Sequence, residues 1–227
     1  MGYKLSPSTL SLLEDCPRCF WLHMVKKIRR PDTPFPSLPS GIDLVLKKHF
    51  DKYRKLGKLP PELEKHGVKA KLFSDINLLD TWRNNLHGIQ WLDPDSGILL
   101  RGAVDEILEK NGTLIVIDFK TRGFPVKENT AEFYKDQIDI YNFLLMKNGF
   151  KTADYGYLLF LHPERINGHA SFLFETELAT LKINAKHAEE LFRKATRVLS
   201  NRMPEASAKC GFCEWSKITD ASRLAPL

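Results

Sequence analysis

Residues 114–123 read LIVIDFKTRG, and this stretch decides the fold of the sequence. Four branched apolar residues in succession are typical of a β-strand that is covered on both faces. The run continues without a break into Asp118, Phe119 and Lys120. Buried charges are costly unless they are paired, hydrogen-bonded or bound to a metal. The sequence therefore predicts that a charged site begins where this buried strand ends.

The segment before this strand is predicted to complete a β-hairpin. Residues 97–110, GILLRGAVDEILEK, read as a strand, and Asn111-Gly112 connects it to the next one. Asn-Gly between two apolar runs is the strongest short hairpin signal. If these two residues form the loop of a type I′ turn, Lys110 faces Thr113. The same register then places Asp105 directly opposite Asp118.

Two carboxylates that face each other need a cation or a shared proton. Facing residues in such a hairpin have Cβ atoms about 4.5–5.5 Å apart, and like charges at that distance are destabilising. Strand alternation puts Lys120 on the same face as the aspartates and turns Phe119 away. The register therefore predicts a divalent metal held by Asp105 and Asp118 beside Lys120. The alternative is that Asp105 lies on a frayed, solvent-exposed strand end.

The rest of the chain predicts a mixture of helices and strands. Ser6 is a good N-cap and Pro7 a good first helical residue, so a helix is expected there, interrupted at Pro17. Further expected elements are an extended proline-rich connector before Gly41, a basic helix from there to about residue 56, a mainly helical segment 60–91, a helix ending at Gly149, strands near 155–162 and 170–178, and a last helix at 184–201. This order predicts an α/β fold with a mixed sheet.

Composition is that of a soluble globular protein. The 227 residues are 43% hydrophobic and 27% charged, which suffices for one sizeable core. No apolar run approaches the roughly 20 residues of a membrane-spanning helix, and the N-terminus lacks a signal-peptide core, so a cytoplasmic location without a membrane is expected. The formal net charge of +6 favours an anionic partner such as nucleic acid, although solvated basic helix faces would give the same balance.

The four cysteines form two C-x-x-C pairs at opposite ends of the chain. Cys16 and Cys19 lie in EDCPRCFW, and Cys210 and Cys213 lie in AKCGFCEW. In a cytosolic chain such pairs indicate a metal or cluster site more than structural disulfides. All four are expected to converge, so residues 1–30 and 200–227 should form one cysteine-bound subdomain. Four thiolates suit either a tetrahedral zinc ion or a [4Fe–4S] cluster.

Five motifs in order resemble the PD-(D/E)XK nuclease superfamily. They read SPSTLSLLEDCPRCFWL, GAVDEI, VIDFKTRG, DQIDIYNFLL and CGFCEW. The similarity is to the RecB-like branch with cysteine-bound clusters, which includes CRISPR-associated exonucleases and AddB-type nuclease domains. It implies one domain over residues 1–227, with a restriction-endonuclease-like core in which helices flank a mixed central sheet.

The resemblance also implies roles for individual residues. Asp105 and Asp118 would be the metal-binding acids, with the Phe119 carbonyl as a further ligand, and Lys120 would be the catalytic lysine. Gln137 and Tyr141 match the Q-x-x-x-Y motif of the branch. Because they are spaced i and i+4, they share one face of a helix, from which they would position the substrate and the site.

The implied activity is that of a metal-dependent deoxyribonuclease. The resemblance implies Mg²⁺ or Mn²⁺ at the acids, and it favours a [4Fe–4S] cluster over structural zinc at the cysteines. DNA, as single strands or ends, would be the substrate of an exonuclease, and other DNA-processing proteins would be partners. Two further classes stay open: a DNA-binding or adaptor module of the same fold without catalysis, and a zinc-clamped structural protein.

Two features depart from the pattern of the branch. A histidine is usual on the helix that enters the core, but Val45 stands at that position, with Asp43 before it and His49 one turn after it. Either neighbour is a candidate replacement. Relatives associated with CRISPR also commonly place one cysteine near the N-terminus and three near the C-terminus, whereas this chain has two and two.

Overall fold

A five-stranded mixed sheet forms the centre of the fold. The computed structural model describes residues 2–32, 34 and 36–223. The strand order is β2-β5-β6-β7-β8, in which β6 and β7 are parallel and the other neighbours antiparallel. The bounds are Lys71–Leu72 for β2, Glu106–Lys110 for β5, Thr113–Thr121 for β6, Tyr155–Asn167 for β7 and Ser171–Lys182 for β8. The predicted mixed sheet is thus confirmed, with β6, which contains the LIVIDFK run, at its centre.

The predicted hairpin register is also confirmed. Lys110 pairs with Thr113 and Glu106 with Ile117, so the ladder keeps the expected register along all of β5. Asn111 and Gly112 both have positive φ, 52° and 73°, as a type I′ turn requires.

A second, three-stranded sheet lies beside the first one, in the order β1-β4-β3. Its strands are β1 (Lys4–Leu5), β3 (Ile89–Leu92) and β4 (Leu99–Gly102). The prediction of one continuous strand over residues 97–110 is therefore wrong, because β4 and β5 belong to different sheets. In the gap between them, Val104 N–H donates to the Trp82 carbonyl at 3.1 Å, and the Asp105 carbonyl accepts from Arg83 Nε at 2.9 Å. The end of a neighbouring helix thus replaces the ladder hydrogen bonds that are lost there.

Helices cover both sheets. Their bounds are α1 Pro7–Asp15, α2 Pro17–Trp21, α3 Ser37–Lys55, α4 Pro61–Glu64, α5 Ile76–Arg83, α6 Lys135–Lys147, α7 Ala185–Leu199 and α8 Gly211–Arg223. A π-helical turn, Leu22–Lys26, follows α2, and a 3₁₀ turn, Ala131–Tyr134, precedes α6. The described residues contain no helix that is both long and apolar enough to span a membrane.

Two further predictions about helices need correction. The basic helix begins at Ser37, before Gly41, because Pro39 falls in its first turn, where the missing N–H has no helical partner to lose. The segment 60–91 is not mainly helical. It contains two short helices and the strands β2 and β3, whose two and four residues are too few to give a clear alternating pattern.

Strand β6 is buried on both faces, as its apolar run predicts. Ile115, Ile117 and Phe119 pack with Leu46 and Phe50 of α3. Residues of the opposite parity, Leu114 and Val116, pack with α6 and α7 in the larger core cluster. This alternation turns the side chains of residues 118 and 120 towards α6, at the carboxyl end of the strand.

Candidate active site

Asp105 lies one residue before β5, where the hairpin register places it opposite Asp118. Its carboxylate Oδ2 accepts a hydrogen bond from Phe119 N–H at 2.9 Å, which ties it to the end of β6. The Phe119 ring turns away from the site and packs against Phe50, with the ring centroids 4.8 Å apart. The structure therefore brings the two predicted acids and the Phe119 backbone together at one end of the hairpin.

The Asp118 side chain is buried and electrostatically strained. Burial, followed by the neighbouring Asp105 carboxylate, raises its pKa to about 8, against the opposing effect of the Lys120 ammonium. Asp118 Oδ2 forms an ion pair with Lys120. Apart from this ion pair, the buried oxygen has no hydrogen bond among the described residues. A buried carboxylate that is paired with one ammonium and lies beside a second acid can accept a divalent cation at the same place.

Gln137 connects the acid to the lysine. Its Nε2 donates to Asp118 Oδ1 at 3.1 Å, while its Oε1 accepts from Lys120 Nζ at 3.0 Å. The Lys120 ammonium also lies 4.7 Å from the centroid of the Tyr134 ring, within the range of a cation–π contact. The amide thus fixes the positions of both charged groups.

Tyr141 lies one helical turn after Gln137 on α6 and supports it. Gln137 Nε2 is 2.7 Å from the Tyr141 hydroxyl. Burial, with a smaller effect from Asp118, raises the pKa of Tyr141 above its ordinary range, so the phenol stays protonated. A Cβ atom at Gly102 would lie 2.7 Å from the tyrosine ring, which explains why a glycine stands there. The predicted pair therefore shares one helix face, directed at Asp118.

Most of the sequence matches a known protein family. A sequence model of the PD-(D/E)XK nuclease superfamily matches residues 4–218. The chain belongs to this superfamily. The match includes both C-x-x-C pairs as well as the hairpin and α6, so it covers nearly the whole fold. No curated protein matches the sequence.

Helix α3 places two further charged groups beside Asp105. Lys47 Nζ lies 2.8 Å from Asp105 Oδ1 and 2.8 Å from Asp43 Oδ2. Burial, then the Asp105 charge, raises the pKa of Asp43, whose buried Oδ1 has no hydrogen bond among the described residues. For Lys47, burial lowers the pKa, but Asp105 and Asp43 outweigh it and raise the pKa overall. Asp43 and Lys47 are thus part of the charged site.

His49 lies on a different side of α3. Its Nε2 is 3.1 Å from Glu62 Oε2, and its ring contacts Tyr53 at a centroid distance of 5.0 Å. Val45, at the position of the usual histidine, has an exposed fraction of 67%. Of the two candidate replacements for the usual histidine, Asp43 is therefore the one that faces Asp105. The i, i+4 spacing of Asp43 and Lys47, on the face that also carries buried Phe50, was the available sequence signal.

Sequence reasoning missed a buried ionic network behind the site. Glu106, which follows Asp105 directly, has no exposed surface. Its carboxylate pairs with Arg54 and, at 2.8 Å, with Arg83. Both guanidinium groups also contact Asp51, at 2.5 and 2.9 Å. Since Arg83 also donates to the Asp105 carbonyl, this network fixes the backbone that carries the first acid.

The four cysteines converge, as predicted. All four thiols are free and their sulfur atoms lie within 4.8 Å of one another. The Sγ–Sγ distances include 3.5 Å between Cys19 and Cys213 and 3.6 Å between Cys19 and Cys210. Burial opposes ionisation of Cys16, but the backbone N–H groups of Cys19 and Ser207 lower its pKa to about 7. This site joins the first helices to the C-terminal segment.

The spacing of the thiols fits a metal centre. Ligand sulfurs about 2.3 Å from a tetrahedral zinc ion lie about 3.8 Å from one another, close to the observed distances. A [4Fe–4S] cluster binds each thiolate to a different iron and would therefore need all four sulfur atoms to move apart. Arg30 adds a cation beside the site, with one guanidinium nitrogen 3.4 Å from Cys210 Sγ.

Proposed function

We propose that this chain is a metal-dependent DNA exonuclease whose catalytic groups are Asp105, Asp118 and Lys120. Superfamily membership indicates a nuclease that uses divalent metal ions. The observation that carries the assignment of the site is the buried Asp118 carboxylate, whose pKa is raised by burial and by the adjacent Asp105 even though Lys120 forms an ion pair with it. A structural role alone would not require such an unfavourable group at the end of the central strand.

The donor set suits a hard cation. Bound by Asp105, Asp118 and the Phe119 carbonyl, Mg²⁺ or Mn²⁺ would supply Lewis-acid stabilisation of the developing phosphate charge and lower the pKa of an attacking water. Asp43 is a further oxygen donor at the same place, because Lys47 connects it to Asp105.

Lys120 and the side-chain amide of Gln137 supply the remaining chemistry. We expect the Lys120 ammonium to orient the attacking water or to stabilise charge on the phosphate oxygens. Both roles require the ammonium to stay beside Asp118, and the hydrogen bond to Gln137 Oε1 holds it there. The phenol of Tyr141 fixes the amide in turn. Positive charge elsewhere on the chain, whose formal net charge is +6, supports binding to the phosphate backbone without reading the base sequence.

A degradation assay tests this function. The purified protein is incubated with end-labelled linear single-stranded DNA, the same sequence as a circle, blunt duplex DNA and RNA, each with Mg²⁺, Mn²⁺ or EDTA. We expect cleavage of the linear DNA strand with metal, intact circles, and no cleavage in EDTA. Cutting of circles at the same rate would refute the exonuclease assignment and leave an endonuclease.

Lys120→Ala tests the site itself. By analogy with the loss of an oxyanion donor, it should lower the cleavage rate by about 10²–10³-fold while leaving DNA binding almost unchanged. Lys110→Ala is the matched control, because Lys110 is an exposed lysine on the same hairpin. If Lys120→Ala and Lys110→Ala both cleave at the parent rate, these residues do not form the active site.

One observation favours the second candidate function, a DNA-binding module without catalysis. Lys47 and Lys120 already provide ammonium partners for Asp105 and Asp118, so the acids are partly neutralised without a metal. The valine at the position of the usual histidine points the same way. A protein that binds DNA but leaves every substrate intact with both metals would establish this alternative.

The cysteines are proposed to hold a structural metal centre that joins the two ends of the chain. The resemblance favours a [4Fe–4S] cluster, whereas the present thiol spacing suits a single zinc ion. Protein purified without oxygen should therefore be analysed for iron, acid-labile sulfide and zinc, and its absorbance measured at about 400 nm. Stoichiometric zinc without iron would refute the cluster and keep the centre.

A further inference from the structure

A cleft lies directly beside the catalytic groups on the α6 side. Its volume is about 510 Å³, and it is bordered by the start of α1, the end of β4 and the start of α6. Gln137 and Tyr141 line it, and the same two side chains form the hydrogen-bonded chain to Asp118. One wall of the cleft is therefore also a wall of the proposed active site.

The lining of the cleft matches the chemistry of a nucleotide. Phe133 and Tyr134 present aromatic rings, and the Phe133 side chain is 85% exposed although it is large and apolar. Arg101 provides a cation, and Ser8 and Ser11 provide hydroxyl groups. Asp136 is an acid in the same lining, but its carboxylate lies 3.0 Å from His187 Nε2. Exposed aromatic rings beside cations and hydroxyls are typical of sites that stack single-stranded bases.

The volume restricts what can enter. Pockets of about 300–1,000 Å³ take one small organic molecule, a range that includes a single nucleotide.

We propose that this cleft holds one unpaired nucleotide next to the scissile phosphate, with its base stacked on Phe133. The inference rests on the proposed nuclease function and specifies its substrate as a single strand or a frayed end. A nucleotide in the cleft would contact the Gln137–Tyr141 wall. Because the Gln137 amide also contacts Asp118 and Lys120, correct seating of the strand is coupled to the position of the catalytic groups.

Binding measurements with matched variants test the stacking contact. A fluorescent single-stranded oligonucleotide is titrated in EDTA, so that no turnover occurs. Phe133→Ala should raise Kd by about tenfold or more, the size of one lost base–aromatic contact. Phe124→Ala is the control, because Phe124 is also highly exposed, at 78%, but does not line the cleft. It should leave Kd unchanged.

A charge placed in the cleft gives a second measurement. Ser11 is an exposed lining residue on α1, and Ser11→Glu introduces a carboxylate that repels phosphate without disturbing the core. It should weaken binding several-fold. Ser171→Glu makes the same change in net charge at the exposed start of β8 and should have little effect.

An abasic scan decides whether a base occupies the cleft. Oligonucleotides that lack one base at each position in turn are measured with the parent protein and with Phe133→Ala. We expect one position at which loss of the base weakens binding to the parent protein but not to Phe133→Ala. The base and the Phe133 ring form one contact, so once the ring is removed, loss of the base should have no further effect.

The outcomes separate the two proposals. If the parent protein cleaves DNA, but the scan is flat and Phe133→Ala behaves like Phe124→Ala, the cleft proposal is overturned and the nuclease function stands. If the coupling is found but neither metal supports cleavage, the nuclease function is refuted and the nucleotide site stands. Failure to bind any oligonucleotide in EDTA, together with no cleavage in either metal, would refute both.

Discussion

Removing the charge of Asp118 should stabilise the metal-free protein, although Asp118 lies in the middle of the fold. The carboxyl is buried, and its pKa is about 8 in place of the usual 3.8. An acid with a raised pKa in the folded state binds protons more tightly when folded than when unfolded. Stability is therefore lost as the pH rises from about 4 to about 8, and the full loss remains above that range.

The magnitude follows from the same two pKa values. A difference between 3.8 and about 8 corresponds to about 6 kcal/mol at alkaline pH. Between pH 5.5 and pH 8.5, the part that is lost is about 3 kcal/mol. Asn has a similar shape and no charge to desolvate. The free energy of unfolding of Asp118→Asn, measured relative to the parent protein, should therefore rise by about 3 kcal/mol across this interval.

Urea unfolding at pH 5.5, 7.0 and 8.5, in buffer free of divalent cations, measures this difference. Asp139→Asn is the control. Asp139 is another fully buried aspartate, but its carboxylate is 2.9 Å from Lys135 Nζ and accepts from Asn184 N–H at 2.8 Å. Its loss should lower stability at every pH. Parallel pH curves for Asp118→Asn and the parent protein would show that the carboxylate is not strained and would refute this account of the site.

Metal should reduce the stability advantage of Asp118→Asn over the parent protein. A ligand present at 100 times its Kd stabilises the folded state by about 2.7 kcal/mol. Mg²⁺ or Mn²⁺ should therefore raise the unfolding midpoint of the parent protein and leave that of Asp118→Asn almost unchanged. If both proteins respond equally, Asp118 does not bind the ion.

Three further predictions concern the surroundings of the site. Glu106→Gln should lower the free energy of unfolding by about 3–5 kcal/mol in urea titrations, because two buried guanidinium groups lose their shared carboxylate. A loss below about 1 kcal/mol would contradict this prediction. Asp43→Asn should weaken Mn²⁺ binding in calorimetric titrations, whereas His49→Ala should not, and the opposite result would make His49 the ligand. Cys213→Ser should release the bound metal and expose the C-terminal segment to protease. If the metal content and the rate of proteolysis stay unchanged, this thiol is not a ligand.

The hairpin and its acids could be predicted because their information is local. Asn111-Gly112 fixes the turn, the turn fixes the register, and the register determines which residue faces Asp118. The spacing of Gln137 and Tyr141 in one helix is local information of the same kind. The convergence of the cysteines depends on residues about 190 positions apart, but their chemistry allowed it to be predicted, since two thiol pairs suit one four-coordinate metal centre.

The remainder depends on contacts that no local pattern encodes. Asp43 and Lys47 belong to the site only because α3 packs across β6, with Phe50 against Phe119. The break between β4 and β5 depends on hydrogen bonds with the end of α5, where the Trp82 carbonyl accepts from Val104 N–H and the Arg83 side chain donates to the Asp105 carbonyl. In the sequence, residues 97–110 look like one strand because the residues on both sides of the break are apolar.

The balance of charge explains how the same residues could be stable both with and without a metal. Three carboxylates, Asp43, Asp105 and Asp118, face two ammonium groups, Lys47 and Lys120. One negative charge is left over when all five groups are ionised, and proton uptake by Asp118 removes it. A divalent cation would instead let every acid ionise, but it would compete with Lys47 for Asp105. Lys120 is held by Gln137 as well as by Asp118, whereas Lys47 is held only by the two carboxylates among its described contacts. Lys47 is therefore the group that would move when metal binds, and Lys120 would stay in place for catalysis.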